Sequence, residues 1–446
     1  MNADPTSPAS GCDVLVVGGG PAGSTMATLL ARQGRNVVML EKARHPRFHI
    51  GESLLPANGP LFEALGVKEE VERIGMRKWG AEFVSPDHAH TSTVEFAEAW
   101  DKSMPHAWQV RRSELDEMLF ANARKAGVTA LEGWKARDVD FAPDGVTVRA
   151  EGPAGQLQCW QARYVVDASG RDTLLSAKFG FKQKNPRHNS AALFGHFRGA
   201  HRLPGKAEGN ITIFWFKHGW FWFIPLSDGT TSIGSVCWPY YLKSRDKPLR
   251  DFFLETIASC PRLAERLAGA ELVDDKVYAT GNYSYSSTRA CGDRFLTVGD
   301  AYAFVDPVFS SGVHLAMASA FEGAKLVATE LDHPQAAAAA RREFEAVMQK
   351  GPREFSWFIY RMTNPALREM LMHPANPWRV KDALMSLLAG DIYGSTPIWR
   401  SLRVLKGIYY LMSLMSWPRA FAAWRMRRRS IRDLGKLSGE NVMVES

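Results

Sequence analysis

The stretch DVLVVGGGPAG, residues 13–23, decides the fold of this 446-residue chain. Val14–Val17 is an apolar run typical of a strand that is buried on both faces. A glycine turn follows at once, and a helical pattern then extends from Ser24 to Gln33. Residues 36–40 (NVVML) form a second apolar run, which ends at Glu41. This order of strand, turn, helix and strand predicts an α/β fold with a parallel sheet.

The glycine turn has the spacing needed to hold a pyrophosphate. Gly18 allows a tight turn, Gly20 lets the backbone approach the phosphates, and Gly23 lets helix and strand pack closely. The first turn of the helix offers free N–H groups and a partial positive charge. Glu41 is placed to accept hydrogen bonds from ribose hydroxyls. These features predict a dinucleotide site and leave NAD and FAD as alternatives.

Three further segments resemble the FAD-dependent monooxygenase superfamily. They are the strand end Gly299-Asp300, the helix start VRRSELD at residues 110–116, and the strand and turn YVVDASG at residues 164–170. The resemblance implies that the dinucleotide is FAD, bound in a Rossmann-like fold. It also implies that Asp300 binds a hydroxyl of the flavin's sugar chain and that Arg112 lies near the cofactor.

A narrower resemblance, to the flavin-dependent halogenases, rests on four motifs. These are the W-x-W-x-I-P signature in GWFWFIP (residues 219–225), a Gly-Glu-Ser loop in HIGESLLP (49–56), a halide-binding turn in DPVFSSGVH (306–314), and the essential-lysine segment in MRKWGAEF (76–83). Alternate residues of a strand share one face. Trp220, Trp222 and Ile224 are therefore expected to form a wall, which in the family stands between flavin and substrate.

This resemblance, together with the glycine turn, assigns the candidate site residues. The catalytic set is Lys78, Trp220 and Trp222, and the cofactor set is Gly18, Gly20, Ala22, Gly23, Glu41, Lys42, Glu52, Ser53, Arg112, Gly299, Asp300 and Gly312. Halide is expected on the N–H groups of Ser311 and Gly312, and the substrate pocket is expected to include Phe309, Ile224 and Pro225. No metal ligand is expected.

The resemblance implies halogenation of an electron-rich aromatic ring. In the family, reduced FAD (FADH2) and O2 convert chloride or bromide to hypohalous acid. The lysine then holds the halogen beside the substrate, either by a hydrogen bond from its ammonium group or as an N-halamine. No NAD(P)H site is recognised, so reduced flavin is expected from a separate flavin reductase.

One position departs from the halogenases that act on free tryptophan. Those enzymes carry a glutamate two residues before the position of Ser311, and this chain has Phe309 there. The departure favours the relatives that act on phenols or pyrroles, many of them tethered to an acyl or peptidyl carrier protein. The proton acceptor stays unnamed.

Three other functions are compatible with an FAD-binding chain. They are a flavin-dependent monooxygenase that hydroxylates its substrate, an isoprenoid-type reductase, and a non-catalytic FAD-binding partner in a biosynthetic complex. The W-x-W-x-I-P motif and Lys78 favour the halogenase, because none of the alternatives needs them.

The net charge of +8 is concentrated at one end of the chain. Residues 400–446 contain ten Lys or Arg and three Asp or Glu, so this segment carries +7. Aromatic side chains alternate with the basic ones between residues 397 and 432. This pattern favours an acidic carrier protein or peripheral contact with a membrane, and the alternative is a helix that packs on the enzyme body. The nearly neutral remainder argues against a nucleic-acid partner.

Composition and motif order also predict the compartment and the organisation. The five cysteines are scattered, with no C-x-x-C pair, which indicates free thiols in a reducing cytoplasm and no zinc site. No secretory signal precedes the first strand, and no apolar run is long enough to span a membrane. We expect an FAD-binding domain over residues 1–345, interleaved with an antiparallel substrate sheet at about 76–110 and 185–275. A helical basic region is expected over residues 346–446.

Overall fold

The computed structural model of the protein describes residues 10–281, 284–394 and 396–432. The first ten strands are β1 (Ser10–Val17), β2 (Val37–Glu41), β3 (Met76–Lys78), β4 (Gly80–Val84), β5 (Thr91–Glu95), β6 (Ala107–Gln109), β7 (Thr129–Glu132), β8 (Lys135–Ala142), β9 (Gly145–Glu151) and β10 (Leu157–Asp167). The later strands are β11 (Lys182–Lys184), β12 (Ala191–Arg198), β13 (Ile211–Phe216), β14 (Gly219–Pro225), β15 (Thr230–Cys237), β16 (Glu271–Leu272), β17 (Tyr278–Gly281), β18 (Tyr285–Ser287), β19 (Cys291–Gly292), β20 (Phe295–Thr297) and β21 (Ala303–Phe304).

The helices connect and cover these strands. They are α1 (Pro21–Arg32), α2 (Asn58–Leu65), α3 (Lys68–Ile74), α4 (Arg112–Lys125), α5 (Leu174–Lys178), α6 (Pro239–Lys243), α7 (Leu249–Ala258), α8 (Pro261–Arg266), α9 (Gly312–Asp332), α10 (Ala337–Ile359), α11 (Pro365–Met372), α12 (Val380–Leu388), α13 (Trp399–Met415) and α14 (Trp417–Arg432). After α9, the described chain contains helices and no further strand.

The sheet that carries the glycine turn is mainly parallel and has eight strands. Six of them follow the order β19-β20-β10-β1-β2-β7, and β9 and β8 add to β10 as antiparallel strands. β1 pairs in parallel with both β10 and β2, and Val14, Leu15 and Val16 are fully buried. The predicted α/β, Rossmann-like fold is confirmed. Helix α1 begins at Pro21, three residues before the predicted start, because proline at the first helical position has a preset φ and lacks only an N–H that has no helical partner.

A second, mostly antiparallel sheet has the order β16-β12-β15-β14-β13-β4-β5, with β17 beside β12. It draws on chain segments 80–95 and 191–281, which are separated by strands of the parallel sheet. The residues of β14 alternate between two apolar layers. Trp220, Trp222 and Ile224 face a core built with α10 to α13, whereas Phe221 and Phe223 face α7 and α8. Both faces of this sheet are therefore buried.

The C-terminal helices divide into a buried and an exposed part. Leu402, Leu405 and Tyr409 of α13 belong to the core beside the tryptophans. In the described part of the chain, no helix combines the length and the apolar character needed to cross a bilayer. The five cysteines are all free thiols. Part of the predicted basic region, residues 433–446, lies outside the described residues.

Candidate active site

A cleft of about 450 Å³ opens at the carboxyl ends of β1, β2, β10 and β20, which is where α/β sheets bind ligands. It extends from the glycine turn to the tryptophan wall. Most predicted residues line it: Gly18, Gly20, Ala22, Glu41, Lys42, Glu52, Ser53, Arg112, Trp220, Trp222, Ile224, Asp300 and Gly312. The other predicted residues, Gly23, Lys78, Pro225, Gly299, Phe309 and Ser311, are not part of this lining.

At the glycine turn, backbone geometry and close packing require glycine at positions 18 and 23. Position 20 requires glycine for a different reason, because a side chain there would enter the cleft. Gly18 has a φ of +104°, and a Cβ on Gly23 would lie 1.8 Å from the Gly18 carbonyl oxygen. Gly20 has an ordinary φ of −78°, and its Cβ would meet only the Arg47 side chain, at 3.4 Å. The space above Gly20 therefore belongs to the cleft, as the close approach of a pyrophosphate requires.

The carboxylate of Glu41 is fixed by the backbone. Its two oxygens accept hydrogen bonds from the N–H groups of Gly19 at 2.7 Å and Ala43 at 2.8 Å. A carboxylate accepts about four hydrogen bonds, so acceptor sites remain for a ribose. The predicted cofactor residue Gly299 lies below the cleft, where its Cβ would meet Ala22 at 3.2 Å.

Arg112 is held rigidly in the middle of the cleft. Its Nε and Nη2 donate to both oxygens of Asp116, at 2.9 and 3.1 Å, and its Nη1 donates to the Ile50 carbonyl at 3.0 Å. Arg47 also lines the cleft and lies 3.3 Å from Asp116. Desolvation raises the pKa of Asp300, on the far side of the cleft, to about 6. No motif identified Arg47, because its place here depends on folding of the 42–50 loop.

Glu52 has partners that the sequence did not indicate. Its buried carboxylate lies 2.9 and 3.1 Å from Nε2 of His196 on β12, and Arg111 lies 3.9 Å away. These contacts join the Gly-Glu-Ser loop to the antiparallel sheet. His196 is 144 residues away in the chain, so local patterns carry no signal for this pairing.

The tryptophan wall is fixed by the neighbouring strand. The ring centroids of Trp220 and Trp222 lie 6.1 Å apart, and the Trp222 indole N–H donates to Ser232 Oγ at 3.1 Å. Gly234 lies directly opposite Trp222, and a Cβ there would lie 2.0 Å from the indole ring. Gly234 is a site residue that sequence analysis missed, because only the strand register places it under the ring.

Lys78 is buried directly behind the cleft lining, with 2% of its surface exposed. Its Nζ donates to Ser53 Oγ at 2.9 Å and to the Leu54 carbonyl at 3.0 Å, and lies 5.2 Å from the Phe96 ring centroid. Among the described residues it has no carboxylate partner, and desolvation lowers its pKa to about 7. A buried lysine without a counter-charge is costly for folding and typical of a functional site.

The predicted halide turn precedes the long helix α9. Ser310 has a φ of +55°, and Ser311 is the residue immediately before the first turn of α9. The first N–H groups of a helix have no helical partner and attract anions. Those of Ser311 and Gly312 therefore suit a halide, and Gly312 reaches the cleft.

Asp306 anchors this turn. Its Oδ1 accepts from the Val308 N–H at 3.1 Å, and its Oδ2 lies 2.8 Å from His188 Nε2 and accepts from Ser190 Oγ at 3.0 Å. All three side chains are buried. A second cavity of about 30 Å³ lies beside this cluster, next to Trp220, and is large enough for a water molecule. The roles of His188 and Ser190 were not predicted, since both are distant in sequence from the turn.

Away from the cleft, His88, Glu369 and His373 bring ligand-type atoms within 4.8 Å of one another. The Glu369 carboxylate lies 3.0 Å from His88 Nε2 and 2.9 Å from His373 Nδ1. The contact with His88 attaches the turn after β4 to helix α11, whereas the contact with His373 lies at the end of α11 itself.

Comparison with known proteins agrees with this geometry. The "FAD binding domain" family model matches residues 11–347. The flavin-dependent halogenase rdc2 of Metacordyceps chlamydosporia is 36% identical over 346 residues, which is 70% of this chain and 64% of that protein. The 1H-pyrrole-2-carbonyl-[peptidyl-carrier protein] chlorinase of Pseudomonas fluorescens is 30% identical over 85% of this chain and 89% of that protein. The chain thus spans slightly less than two thirds of the fungal relative and most of the bacterial one.

Solved structures share most of this architecture. A flavoprotein/dehydrogenase from Cytophaga hutchinsonii superposes with a TM-score of 0.82 at 28% identity, covering 91% of this chain and 100% of that chain. The myxobacterial chondrochloren halogenase CndH superposes with a TM-score of 0.76 at 32% identity, covering 91% and 97%. The residues that line the cleft lie within the segment matched by the FAD binding domain family. The chain belongs to the flavin-dependent halogenases.

Proposed function

We propose that the protein is an FADH2-dependent halogenase that adds chlorine or bromine to a phenol or pyrrole ring tethered to a carrier protein. The observation that supports this proposal most strongly is the burial of Lys78. A monooxygenase or reductase has no use for an uncompensated, fully buried lysine that donates to Ser53, a residue of the cleft lining. A non-catalytic FAD-binding protein would gain nothing to offset its folding cost.

Each part of the site has a task in this reaction. When bound, reduced FAD together with O2 supplies the oxidising power that converts a halide to hypohalous acid. The glycine turn, Arg112 and Asp300 hold the cofactor, and the N–H groups of Ser311 and Gly312 hold the halide. Trp220 and Trp222 are buried and exclude the aromatic substrate from the flavin side. Reduced flavin comes from a separate reductase.

Lys78 receives the oxidised halogen. Two of its N–H groups are already committed to Ser53 Oγ and the Leu54 carbonyl. In the ammonium form a third N–H remains and donates to the hypohalous acid, which both holds and polarises it. Because the hydrogen bonds to Ser53 and Leu54 fix the ammonium group, they also fix the direction of the third N–H. The hypohalous acid therefore reacts with the aromatic ring and does not diffuse out of the site.

The substrate class rests on the surroundings of the halide turn. Phe309 is buried and packs edge to face on Phe358, with 6.3 Å between ring centroids. An apolar ring at this position provides no carboxylate to activate an indole, so the substrate must itself be electron-rich. The name of the Pseudomonas fluorescens relative supports a tethered pyrrole, because that enzyme acts on a pyrrole bound to a peptidyl carrier protein.

Intact-mass analysis tests the substrate class. The protein is incubated with FAD, a flavin reductase, NADH and bromide, and offered phenol and pyrrole carboxylic acids either free or as thioesters of a carrier protein. We expect a bromine mass increment on a tethered ring and little or none on the matched free acid. Bromination of free tryptophan in preference to every tethered ring would contradict the proposed substrate.

The pH dependence of halogenation follows from Lys78. Its pKa is lowered to about 7, so the ammonium form gives way to the amine between about pH 6 and 8. The yield of halogenated product per flavin oxidised should fall as pH rises through this range, because the third N–H is lost. A yield that rises instead would contradict the hydrogen-bond role and favour the N-halamine.

Asp306 is a positioning residue for the halide turn. Asp306→Ala removes the bond to the Val308 N–H and the bonds to His188 and Ser190, each worth about 1.5–3 kcal/mol when one partner is charged. We expect the KM for halide to rise about tenfold, with FAD affinity and kcat at saturating halide little changed. Ser190→Ala is the matched control and should have a smaller effect. An unchanged halide KM in Asp306→Ala would refute this role.

A further inference from the structure

Helix α14 exposes its aromatic side chains and turns its small ones inward. Trp417, Phe421 and Trp424 are exposed by 58%, 39% and 49%. Ala420 and Ser430, on the face turned towards the protein, are buried. This is the reverse of the usual arrangement, in which the apolar stripe of a surface helix faces the core. Packing of the helix on its own enzyme therefore does not account for its aromatic residues.

The three rings form a continuous stack along the outer face. The centroids of Trp417 and Phe421 lie 5.3 Å apart, and those of Phe421 and Trp424 lie 5.5 Å apart, with interplanar angles of 20° and 21°. The end of α13, which directly precedes α14, also exposes Tyr410, Leu411, Leu414 and Met415. Of the thirteen large exposed hydrophobic side chains in the described residues, eight lie between 410 and 426. We call this region, Tyr410–Met426, the aromatic face.

Positive charge lies alongside this face. Helix α14 contains no Asp or Glu. The guanidinium groups of Arg425 and Arg428 lie over the rings of Phe421 and Trp424, 5.8 and 5.0 Å from the centroids. Arg429 is also exposed. The occupant of this surface must therefore offer apolar volume and negative charge together.

Arg427 lies on the face of α14 that is turned towards the protein. Its guanidinium donates to the Arg187 carbonyl and lies over the Tyr360 ring, 4.8 Å from the centroid. Desolvation lowers its pKa to about 10. Arg427 also lines the small cavity with Asp306 and Trp220. This contact fixes the rotation of the helix and so keeps the aromatic stack pointing outward.

We propose that the aromatic face binds the surface of an anionic lipid bilayer, with α14 lying in the interface. Tryptophan and phenylalanine prefer the headgroup region, and arginine pairs with lipid phosphates. The interface of a bilayer can accommodate stacked rings and arginines side by side, whereas a protein partner would need a groove that matches their shape. A second copy of the chain is disfavoured, because a two-fold contact through this face would bring the same arginines together. This inference goes beyond halogenation and does not depend on it.

Vesicle co-sedimentation of the full-length, FAD-loaded protein tests the proposal. We expect binding to vesicles of phosphatidylcholine with phosphatidylglycerol, and much weaker binding to phosphatidylcholine alone. Burial of aromatic side chains in the interface contributes much of the binding free energy. The triple variant Trp417→Ser, Phe421→Ser and Trp424→Ser should therefore bind at least about tenfold more weakly.

Two sets of variants distinguish binding through the aromatic face from nonspecific binding to vesicles. Trp378→Ser removes the most exposed tryptophan outside the aromatic face, exposed by 73%, and should leave vesicle binding unchanged. Arg425→Gln with Arg428→Gln should reduce the preference for the anionic lipid. All variants should retain FAD and the wild-type melting temperature, which shows that the substituted side chains are not needed for folding.

Several outcomes would overturn the proposal. One is wild-type protein that stays in the supernatant with both vesicle types, and another is a triple variant that sediments as the wild type does. Concentration-dependent dimers that the triple variant abolishes, without vesicle binding, would assign the face to a second copy. Capture of an acidic carrier protein through the aromatic face, again without vesicle binding, would assign it to that partner.

Discussion

A Lys78→Met variant will oxidise reduced flavin at close to the wild-type rate and form no halogenated product. Methionine keeps the unbranched apolar stem and fills the same space, but it cannot donate to hypohalous acid. General acid groups contribute about 10²- to 10⁴-fold to reaction rates, so the product yield should fall by at least about 10²-fold. Hypohalous acid should instead escape and be trapped by an added scavenger such as monochlorodimedone.

A matched lysine variant controls for this result. Lys206 also lies over an aromatic ring, 4.6 Å from the Trp79 centroid, but it is exposed and pairs with Glu95. Lys206→Met should halogenate as the wild type does. Halogenation that survives in Lys78→Met would remove Lys78 from the mechanism.

The same substitution should make the protein more stable. The folded state lowers the pKa of Lys78 from 10.5 to about 7, and one pKa unit corresponds to about 1.4 kcal/mol. The burial of Lys78 therefore lowers the free energy of unfolding by several kcal/mol at neutral pH. Loss of the bond to the buried Leu54 carbonyl offsets about 1–3 kcal/mol of the gain. We expect Lys78→Met to raise the free energy of unfolding by about 1–3 kcal/mol at pH 7.

The advantage of the variant should shrink at higher pH. Between pH 7 and 10.5 the unfolded wild type binds more protons at Lys78 than the folded wild type does, so its stability rises with pH. Methionine does not titrate. Denaturant melts of both proteins at pH 7 and pH 9.5 would measure the difference. A variant less stable than wild type at pH 7 would mean that Lys78 is not held at a cost.

Gly20→Val will fold normally and lose FAD. Gly20 has a φ that valine tolerates, and a side chain there meets only the flexible end of Arg47. The branched side chain projects into the cleft where the pyrophosphate approaches, so FAD affinity should fall at least about 100-fold, or about 2.7 kcal/mol. Flavin fluorescence titration gives the affinity, and circular dichroism verifies the fold.

Two other glycines supply the comparison. Gly11, near the start of β1, has no atom within 4 Å of its Cβ position, so Gly11→Val should bind FAD normally. Gly23→Ala should instead destabilise the protein, because its Cβ would lie 1.8 Å from the Gly18 carbonyl oxygen. If Gly20→Val retains FAD with unchanged affinity, the glycine turn does not hold the pyrophosphate.

Local sequence predicted the glycine turn well, because its requirements lie within one strand, one turn and one helix. The same holds for the wall, since alternation along β14 places Trp220, Trp222 and Ile224 on one face. Helix α1 and strand β1 both begin earlier than expected, at Pro21 and Ser10. Each of these features is decided by neighbours within a few residues.

The residues that sequence analysis missed depend on pairings across the chain. His196 reaches Glu52 and His188 reaches Asp306 only after the antiparallel sheet has packed on the parallel one. Gly234 matters because the register of β14 and β15 places it beneath Trp222. Periodicity in α14 likewise indicates two faces, but it cannot indicate which one meets the protein. Tertiary packing decides that Arg427 faces inward and the aromatic rings outward.

The product formed under ¹⁸O2 in bromide buffer tests the central claim most directly, because it distinguishes transfer of halogen from transfer of oxygen to the aromatic ring. The protein, FAD, a flavin reductase, NADH and the carrier-bound aromatic substrate are combined, and the product is examined by high-resolution mass spectrometry. We predict a product with the two-line isotope pattern of bromine and no ¹⁸O, formed by wild type and absent with Lys78→Met. A product that carries ¹⁸O and no bromine would identify a hydroxylase and contradict the account.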